Sequence, residues 1–232
     1  MEESLRRGTY SNLPDIILVQ DNAFQNSVIS YPNAFKELTR SGIDFSDFSA
    51  AKTAYSVVGG KNYGVPFDNG AVIACYRTDY LQQAGFTVDE FTNITWDEYL
   101  EKGKTVLEKT GKPLLSCMAG ESDIIMMMLQ SCGVSLFDEN GNPVVVGNET
   151  LKRTMEMYAA LVKAGVLVEA DSWEHYIENI DEDKVAGVID GCWIMASIQQ
   201  NTKHSGKWAV TNMPKLTGVD GATNYSNNGG YS

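Results

Sequence analysis

Few residues in this chain are equipped for covalent or metal chemistry. His175 and His204 are its two histidines, and neither has another ligand type at metal-site spacing, so a zinc centre is not expected. Asp138, Asn140, Asn142 and Glu149 coincide with the positions of a calcium loop, but Pro143 stands where that loop needs a glycine, and a hairpin turn is the better account. The run Asp181-Glu182-Asp183 offers carboxylates, yet a glycosidase needs its acid and base on opposite sides of the bond, which neighbours in sequence do not provide. It is expected to be a solvated acidic loop. Cys75, Cys117, Cys132 and Cys192 are widely spaced without a CxxC pair, which permits disulfides without implying them and favours small buried hydrophobes. Met126-Met127-Met128 likewise fits a helix core.

What remains is the chemistry of reversible polar contact. Asp21 and Asn22 follow an apolar segment at 13–19, and in open α/β sheets ligands sit just past the carboxyl ends of strands. Asp68 and Asn69 lie beyond Pro66-Phe67, and Glu121-Ser122-Asp123 lies at a helix start. Each group also has a purely structural account: a solvated loop for the first, turn residues for the second, an N-cap for Ser122 or Asp123. Both accounts stay open, since helix N-termini also bind polar groups.

The elements that must position these residues alternate between strand and helix, which favours a mixed α/β class. Leu13 to Val19 is expected as a short strand, and Asn33 to Thr39 as a helix with Phe35 and Leu38 inward and Ser41-Gly42 ending it. Gly59-Gly60-Lys61-Asn62 predicts a hairpin turn within 57–66. The apolar run Val72 to Tyr76 predicts a strand buried on both faces. Thr95 with Glu98 forms a capping-box pattern, and Trp96, Tyr99, Leu100, Gly103, Val106 and Leu107 recur at helical spacing until Gly111. A second helix follows Asn148, with Leu151, Met155, Tyr158, Leu161 and Val162 on one face and Gly165 closing it. Residues 122–131 are expected helical, 136–146 a hairpin around Asn140-Gly141, 185–189 a strand, 193–200 a helix and 207–213 a strand.

With 232 residues, 43% of them hydrophobic, the chain can build one large or two small cored domains. Its net charge of −12 argues against a nucleic-acid backbone as partner, which requires clustered Lys and Arg. The longest apolar runs fall far short of the roughly 20 residues of a membrane span. Residues 1–7 carry no apolar core or cleavage site of a secretory leader. The order Tyr63-Gly64-Val65-Pro66-Phe67-Asp68, then the apolar strand, then the capped helix suggests a crossing between two domains, and such crossings border ligand clefts.

Six pieces in this order carry a family resemblance: Leu13-Pro14-Asp15-Ile16-Ile17; Tyr63-Gly64-Val65-Pro66; Tyr76-Arg77-Thr78-Asp79 with Gly85 behind it; Thr95-Trp96-Asp97-Glu98; Val188-Ile189-Asp190-Gly191-Cys192-Trp193; and Trp208-Ala209-Val210-Thr211-Asn212-Met213-Pro214. The chain resembles family 1 extracellular solute-binding proteins, the maltose-binding-protein-like sugar receptors of ABC importers. The resemblance implies a two-lobed, type II periplasmic-binding-protein-like α/β fold with an incomplete first lobe, since such receptors have further elements before the Pro-Asp motif and after a Gly-Gly like Gly229-Gly230. The lobes would be 1–68 and 71–224, with 225–232 as the return crossing.

The same resemblance implies a non-enzymatic receptor that captures a carbohydrate, an oligosaccharide, and delivers it to a membrane permease. It would be a monomer at the cell surface or in a periplasm, without a cofactor. Trp193 matches the family's stacking tryptophan, with a core tryptophan as the alternative. Asp21, Asn22, Asp68, Asn69, Glu121, Ser122, Asp123, Gly230 and Tyr231 match polar and aromatic ligand positions. Three alternatives stay open: a receptor for a polyamine or peptide, a carbohydrate-active hydrolase, and an interaction module without a pocket.

Overall fold

The computed structural model describes residues 2–138 and 142–232. The chain forms two compact units, Met1–Gly70 with Gly229–Ser232, and Ala71–Asn228. Among the described residues no helix is long and apolar enough to cross a membrane.

The first unit contains α1 (Glu2–Arg6), α2 (Asp21–Ser30), α3 (Ala50–Thr53) and a hairpin of β1 (Val57–Val58) with β2 (Lys61–Asn62). Its core is small: Val19, Phe24 and Val28 are buried, and Ile17, Phe35, Val58 and Tyr63 pack against them. The hairpin turn is tighter than expected. Gly59 and Gly60 alone make it, with φ of 56° and 75°, and Lys61 and Asn62 already pair with Val58 and Val57.

Two expectations fail in this unit. Residues 13–19 are not a strand: apart from Val19, which exchanges both main-chain bonds with Ser232 at 2.9 and 3.0 Å, the segment has no ladder, and Ile16 is 89% exposed. A strand exists only through its partner's hydrogen bonds, which apolar composition alone does not supply. Residues 33–39 are not a helix either. The helix lies earlier, in α2, where Asp21, Phe24 and Val28 form its buried stripe, and it ends before Pro32, whose ring disfavours helical geometry at Tyr31. The Leu38 N–H bonds Asn62 O at 2.7 Å instead of continuing a helical ladder. A seven-residue segment has little intrinsic tendency to nucleate one.

The second unit runs β3 (Val72–Arg77), α4 (Thr78–Ala84), α5 (Trp96–Thr110), β4 (Leu115–Met118), α6 (Asp123–Ser131), α7 (Glu149–Lys163), β5 (Leu167–Ala170), α8 (Trp173–Asp181), β6 (Gly187–Gly191), α9 (Ile194–Gln200) and β7 (Trp208–Thr211). β3 is the middle strand of three, antiparallel to β6 and β7. Its near-continuous apolar composition follows from that position, with Ala74, Cys75 and Tyr76 fully buried. β4 and β5 pair in parallel, Leu115 opposite Leu167 and Met118 opposite Ala170.

The helix signals hold best. Thr95 and Glu98 form the reciprocal capping box of α5, and Gly111 closes it in left-handed geometry at φ 69°. Asn148 caps α7 by accepting from Leu151 N. The buried stripe of α7 is Thr154, Met157 and Leu161; Met155 and Val162 face outward at 45% and 39% exposure, contrary to expectation. The strands at 185–189 and 207–213 occur as the shorter or shifted β6 and β7. The 136–146 segment is bridged at Phe137 and Pro143, while Asn140-Gly141, the expected turn, lies outside the described residues.

The acidic run is not simply solvated. Asp183 forms an ion pair with Arg77, which is 2% exposed and also binds Asp79 at 2.8 Å. The hydrogen bond from Arg77 holds the Asp183 carboxyl below its ordinary range. None of the four cysteines is in a disulfide; Cys75 is buried, Cys117 and Cys132 are half-buried, and Cys192 is exposed, against the expectation for that residue.

Candidate functional site

The parallel pairing of β4 and β5 aligns their carboxyl ends, Met118 beside Ala170, and the Ala119 N–H donates to Ala170 O at 2.8 Å. The segments that follow, Glu121 to Asp123 into α6 and Ser172 into α8, therefore leave the sheet at the same end. That is the end where α/β proteins hold ligands. Ser172 caps α8 by accepting from His175 N, which places Trp173 and Tyr176 on successive positions of one face.

A pocket opens here within the second unit, lined among others by Glu121, Asp123, Trp173, Tyr176, Asp190 and Trp193. Trp193 and Trp173 meet with ring centroids 5.8 Å apart at 44°, and Trp173 meets Tyr176 at 5.5 Å. Trp193 is half-buried, with its indole N–H donating to Asn228 O at 3.0 Å, and Trp173 is 40% exposed. Both rings thus contribute surface to the pocket.

Asp190 is the penultimate residue of β6 and is 7% exposed. Its Oδ2 accepts from Tyr176 Oη at 2.8 Å, and its Oδ1 accepts from Gly191 N at 2.8 Å and Asn228 Nδ2 at 2.6 Å. Burial nevertheless outweighs these donors and pushes its pKa up to about 6. The Asn228 amide also donates to Asp123 Oδ2 at 3.3 Å, so one side chain joins two carboxyls of the pocket. Gly191 is required by close approach: a Cβ there would collide with the Trp193 indole nitrogen and stand 2.7 Å from Asn228 O. Among the described residues no group of three His, Cys, Asp or Glu could hold a metal ion.

The sequence-predicted residues fall into two groups. Glu121, Asp123 and Trp193 come together at this pocket; Ser122 occupies the N-cap position of α6 without a side-chain capping bond. In the first unit, Asp21, Asp68, Gly230 and Tyr231 are close together. Asp21 is not in a polar loop but in the first turn of α2, 4% exposed, paired with buried Lys52 and accepting from Ser232 Oγ at 3.0 Å. Its carboxylate is occupied internally. Asn22 lies exposed beside it on the same turn, so this pair corrects the expectation of a loop past a strand. Gly230, at φ 127°, packs where a Cβ would come 2.8 Å from Asp21 Oδ2 and 2.9 Å from Lys52 Nζ. Asp68 Oδ1 accepts from Tyr231 N at 2.6 Å, Asn69 is exposed, and Tyr231 is 36% exposed.

Trp173, Tyr176, Asp190 and Asn228 were not foreseen as site residues. Asp190 had a signal, a single carboxylate closing the buried run Ala186 to Ile189. Trp173 and Tyr176 had one in their i, i+3 spacing behind Ser172. Asn228 had none, because its role depends on contacts with residues 35 to 105 positions away.

A concave aromatic surface edged by fixed polar groups is the kind of surface on which proteins bind small molecules. The chain belongs to the family of bacterial extracellular solute-binding proteins, whose model matches residues 5–230. It is 38% identical over 232 residues to the lactose-binding protein of Rhizobium radiobacter, covering 100% of this chain and 54% of that one. It is 25% identical over 208 residues to the arabinooligosaccharide-binding protein of Bacillus subtilis strain 168, covering 87% of this chain and 47% of that protein. The chain thus spans about half the length of the curated relatives it matches.

Two solved structures show the shared fold. An ABC-transporter-associated binding protein of B. animalis subsp. lactis Bl-04, in complex with β-1,6-galactobiose, superposes with a TM-score of 0.84 at 20% identity, over 100% of this chain and 56% of that one. The GacH receptor of Streptomyces glaucescens does so at 0.79 and 21%, over 100% and 59%. The fold is the mixed α/β, two-lobed binding-protein class.

Proposed function

We propose that this chain is the ligand-capturing part of a carbohydrate receptor of an ABC importer, and that the pocket at the carboxyl ends of β4 and β5 holds the sugar. The observation that carries the proposal is the contact of Trp193 with Trp173 beside Glu121, Asp123 and Asp190. The C–H face of a pyranose packs on an aromatic ring, while its hydroxyls need fixed acceptors and donors. Two adjacent rings offer more continuous stacking surface than a single one, which suits an oligosaccharide over a monosaccharide. The names of the lactose- and arabinooligosaccharide-binding relatives support the same ligand class. A permease partner, a monomeric state and a place outside the cytoplasmic membrane, free or lipid-anchored, belong to this proposal. Asn22, Asp68, Asn69 and Tyr231 are retained as ligand residues of the first unit.

Catalysis is not part of the proposal. Asp190 has the raised pKa of a glycosidase acid, but its oxygens already accept three hydrogen bonds. It is also tied to Asp123 through one amide, whereas hydrolytic carboxyls flank the bond. A polyamine is the second reading, favoured by one observation: the described pocket lining includes three carboxyls and no Lys, Arg or His.

The test is calorimetric titration of the chain with lactose, arabinooligosaccharides and spermidine, with release of chromophore from a chromogenic galactoside as control. Sugar binding that Trp193→Ala weakens by about fivefold or more, equivalent to about 1 kcal/mol of stacking, supports the proposal. Binding of spermidine alone replaces sugar with a cation, and chromophore release would make the chain a hydrolase.

A further inference from the structure

We propose that Asn228 is a positioning residue of the pocket, setting the plane of the Trp193 indole with its carbonyl and holding Asp190 and Asp123 as a joined acceptor pair with its amide. The proposal rests on the carbohydrate reading for its consequence, but not for its geometry.

Three contacts converge on this one residue. Its main-chain oxygen accepts the Trp193 N–H at 3.0 Å. Its Nδ2 donates to Asp190 Oδ1 at 2.6 Å and to Asp123 Oδ2 at 3.3 Å. The side-chain bonds fix the backbone that carries the carbonyl, so the direction of the indole N–H depends on the amide although the amide never touches the ring. The opposite constraint comes from Gly191, whose missing Cβ lets the indole nitrogen lie against it. An indole held by an acceptor and by a bare Cα has one orientation.

This arrangement determines what the ring can offer. With its N–H already spent on Asn228, Trp193 presents an apolar face and no donor, so it discriminates ligands by stacking alone. Polar selection passes to the carboxyls. A carboxamide is the side chain that suits this place, because two N–H groups satisfy two acidic neighbours without adding charge. An aspartate would set a third carboxylate against the two, and an alanine would leave both without this donor and release the carbonyl.

The experiment reads the four indole N–H resonances of the 15N-labelled chain, Trp193 being identified by its disappearance in Trp193→Phe. In the unchanged chain the Trp193 N–H should exchange with solvent more slowly than that of Trp173, whatever the variants do. Asn228→Ala, and Asn228→Ser should the alanine fail to fold, should shift that resonance and remove its protection while the Trp96 resonance stays in place. In a double-mutant cycle with lactose as probe, Asn228→Ala should weaken binding by about tenfold with Trp193 present and by clearly less in the Trp193→Phe background, where only its hold on the two carboxyls remains to be lost. A Trp193 N–H that exchanges freely in the unchanged chain, or an Asn228→Ala loss that is equal in both backgrounds, overturns the proposal. Absence of binding to lactose and arabinooligosaccharides alike refutes the carbohydrate reading alone, and the resonance shift then decides the role of Asn228.

Discussion

Lys52 meets Asp21 in an ion pair whose side chains are 6% and 3% exposed, in a unit whose apolar core has three buried members. Asp21 also accepts from Ser232 Oγ, and its N–H donates to Gly230 O at 3.0 Å, so the pair links α2, α3 and residues 230–232. Removing one partner from a buried pair strands the other and costs about 3–5 kcal/mol, whereas an apolar replacement of both is far better tolerated. Lys52→Met should therefore destabilise the first unit more than Lys52→Met with Asp21→Leu. Amide hydrogen exchange over residues 21–30 measures this, and equal protection in the single variant and the unchanged chain would refute it.

Asp190 gives the second unit a definite pH response. Its carboxyl is pushed from the ordinary 3.8 to about 6 by burial. Between about pH 4 and 6 the unfolded chain has released this proton and the folded chain keeps it, so this residue's contribution falls as pH rises across that window and is constant above it. The difference corresponds to about 3 kcal/mol. Asp190→Asn mimics the protonated group: its oxygen can accept from Gly191 N and Asn228 Nδ2 while its amide donates to Tyr176 Oη. Urea unfolding of both chains should show their stability difference grow in favour of the variant from pH 4 to 6 and then level off. A difference independent of pH would mean that Asp190 titrates normally.

The capping box of α5 predicts a smaller, local effect. Thr95 Oγ1 accepts from Glu98 N at 3.2 Å, and Glu98 Oε2 accepts from Thr95 N at 2.8 Å. Thr95→Ala removes one half of the box and should cost about 1 kcal/mol. All four tryptophans lie in the second unit, with Trp96 at the first position of this helix, so the fluorescence-detected urea midpoint reports it directly. An unmoved midpoint would show that packing of Trp96 and Tyr99 alone fixes the helix start.

These cases show which parts of the fold were legible. The capping box, the helix after Asn148 and the buried strand beginning at Val72 each depend on signals confined to one segment. The 13–19 segment failed because a strand is a relation to a partner, and the 33–39 segment because Leu38 bonds Asn62, a residue of the hairpin. The site divided in the same way. Trp193 stood out behind Gly191-Cys192, and Glu121 and Asp123 at a helix start, whereas Trp173, Asp190 and Asn228 acquire their roles only when β4, β5 and β6 bring them together. Asp21 had the right residue type for a ligand contact and a nearer claimant in Lys52.

Gly191 tests whether Trp193 acts through its orientation. Its φ is not in the left-handed region, so an alanine there has no backbone penalty; what it meets is the Trp193 indole nitrogen and, at 2.7 Å, Asn228 O. The indole is the more movable of the two, being half-buried at the pocket edge. Gly191→Ala should therefore rotate Trp193 off its acceptor, breaking the 3.0 Å bond, and lower lactose affinity by about tenfold. The Asn228 oxygen belongs to the backbone and must give way as well, so stability should fall by about 1–3 kcal/mol, a shift of several degrees in melting temperature. The measurement is a paired titration and melt of Gly191→Ala and Trp193→Ala. Comparable affinities in the two variants, both well below that of the unchanged chain, would show that the tryptophan acts through its orientation. An undiminished affinity in Gly191→Ala would place the ligand away from Trp193.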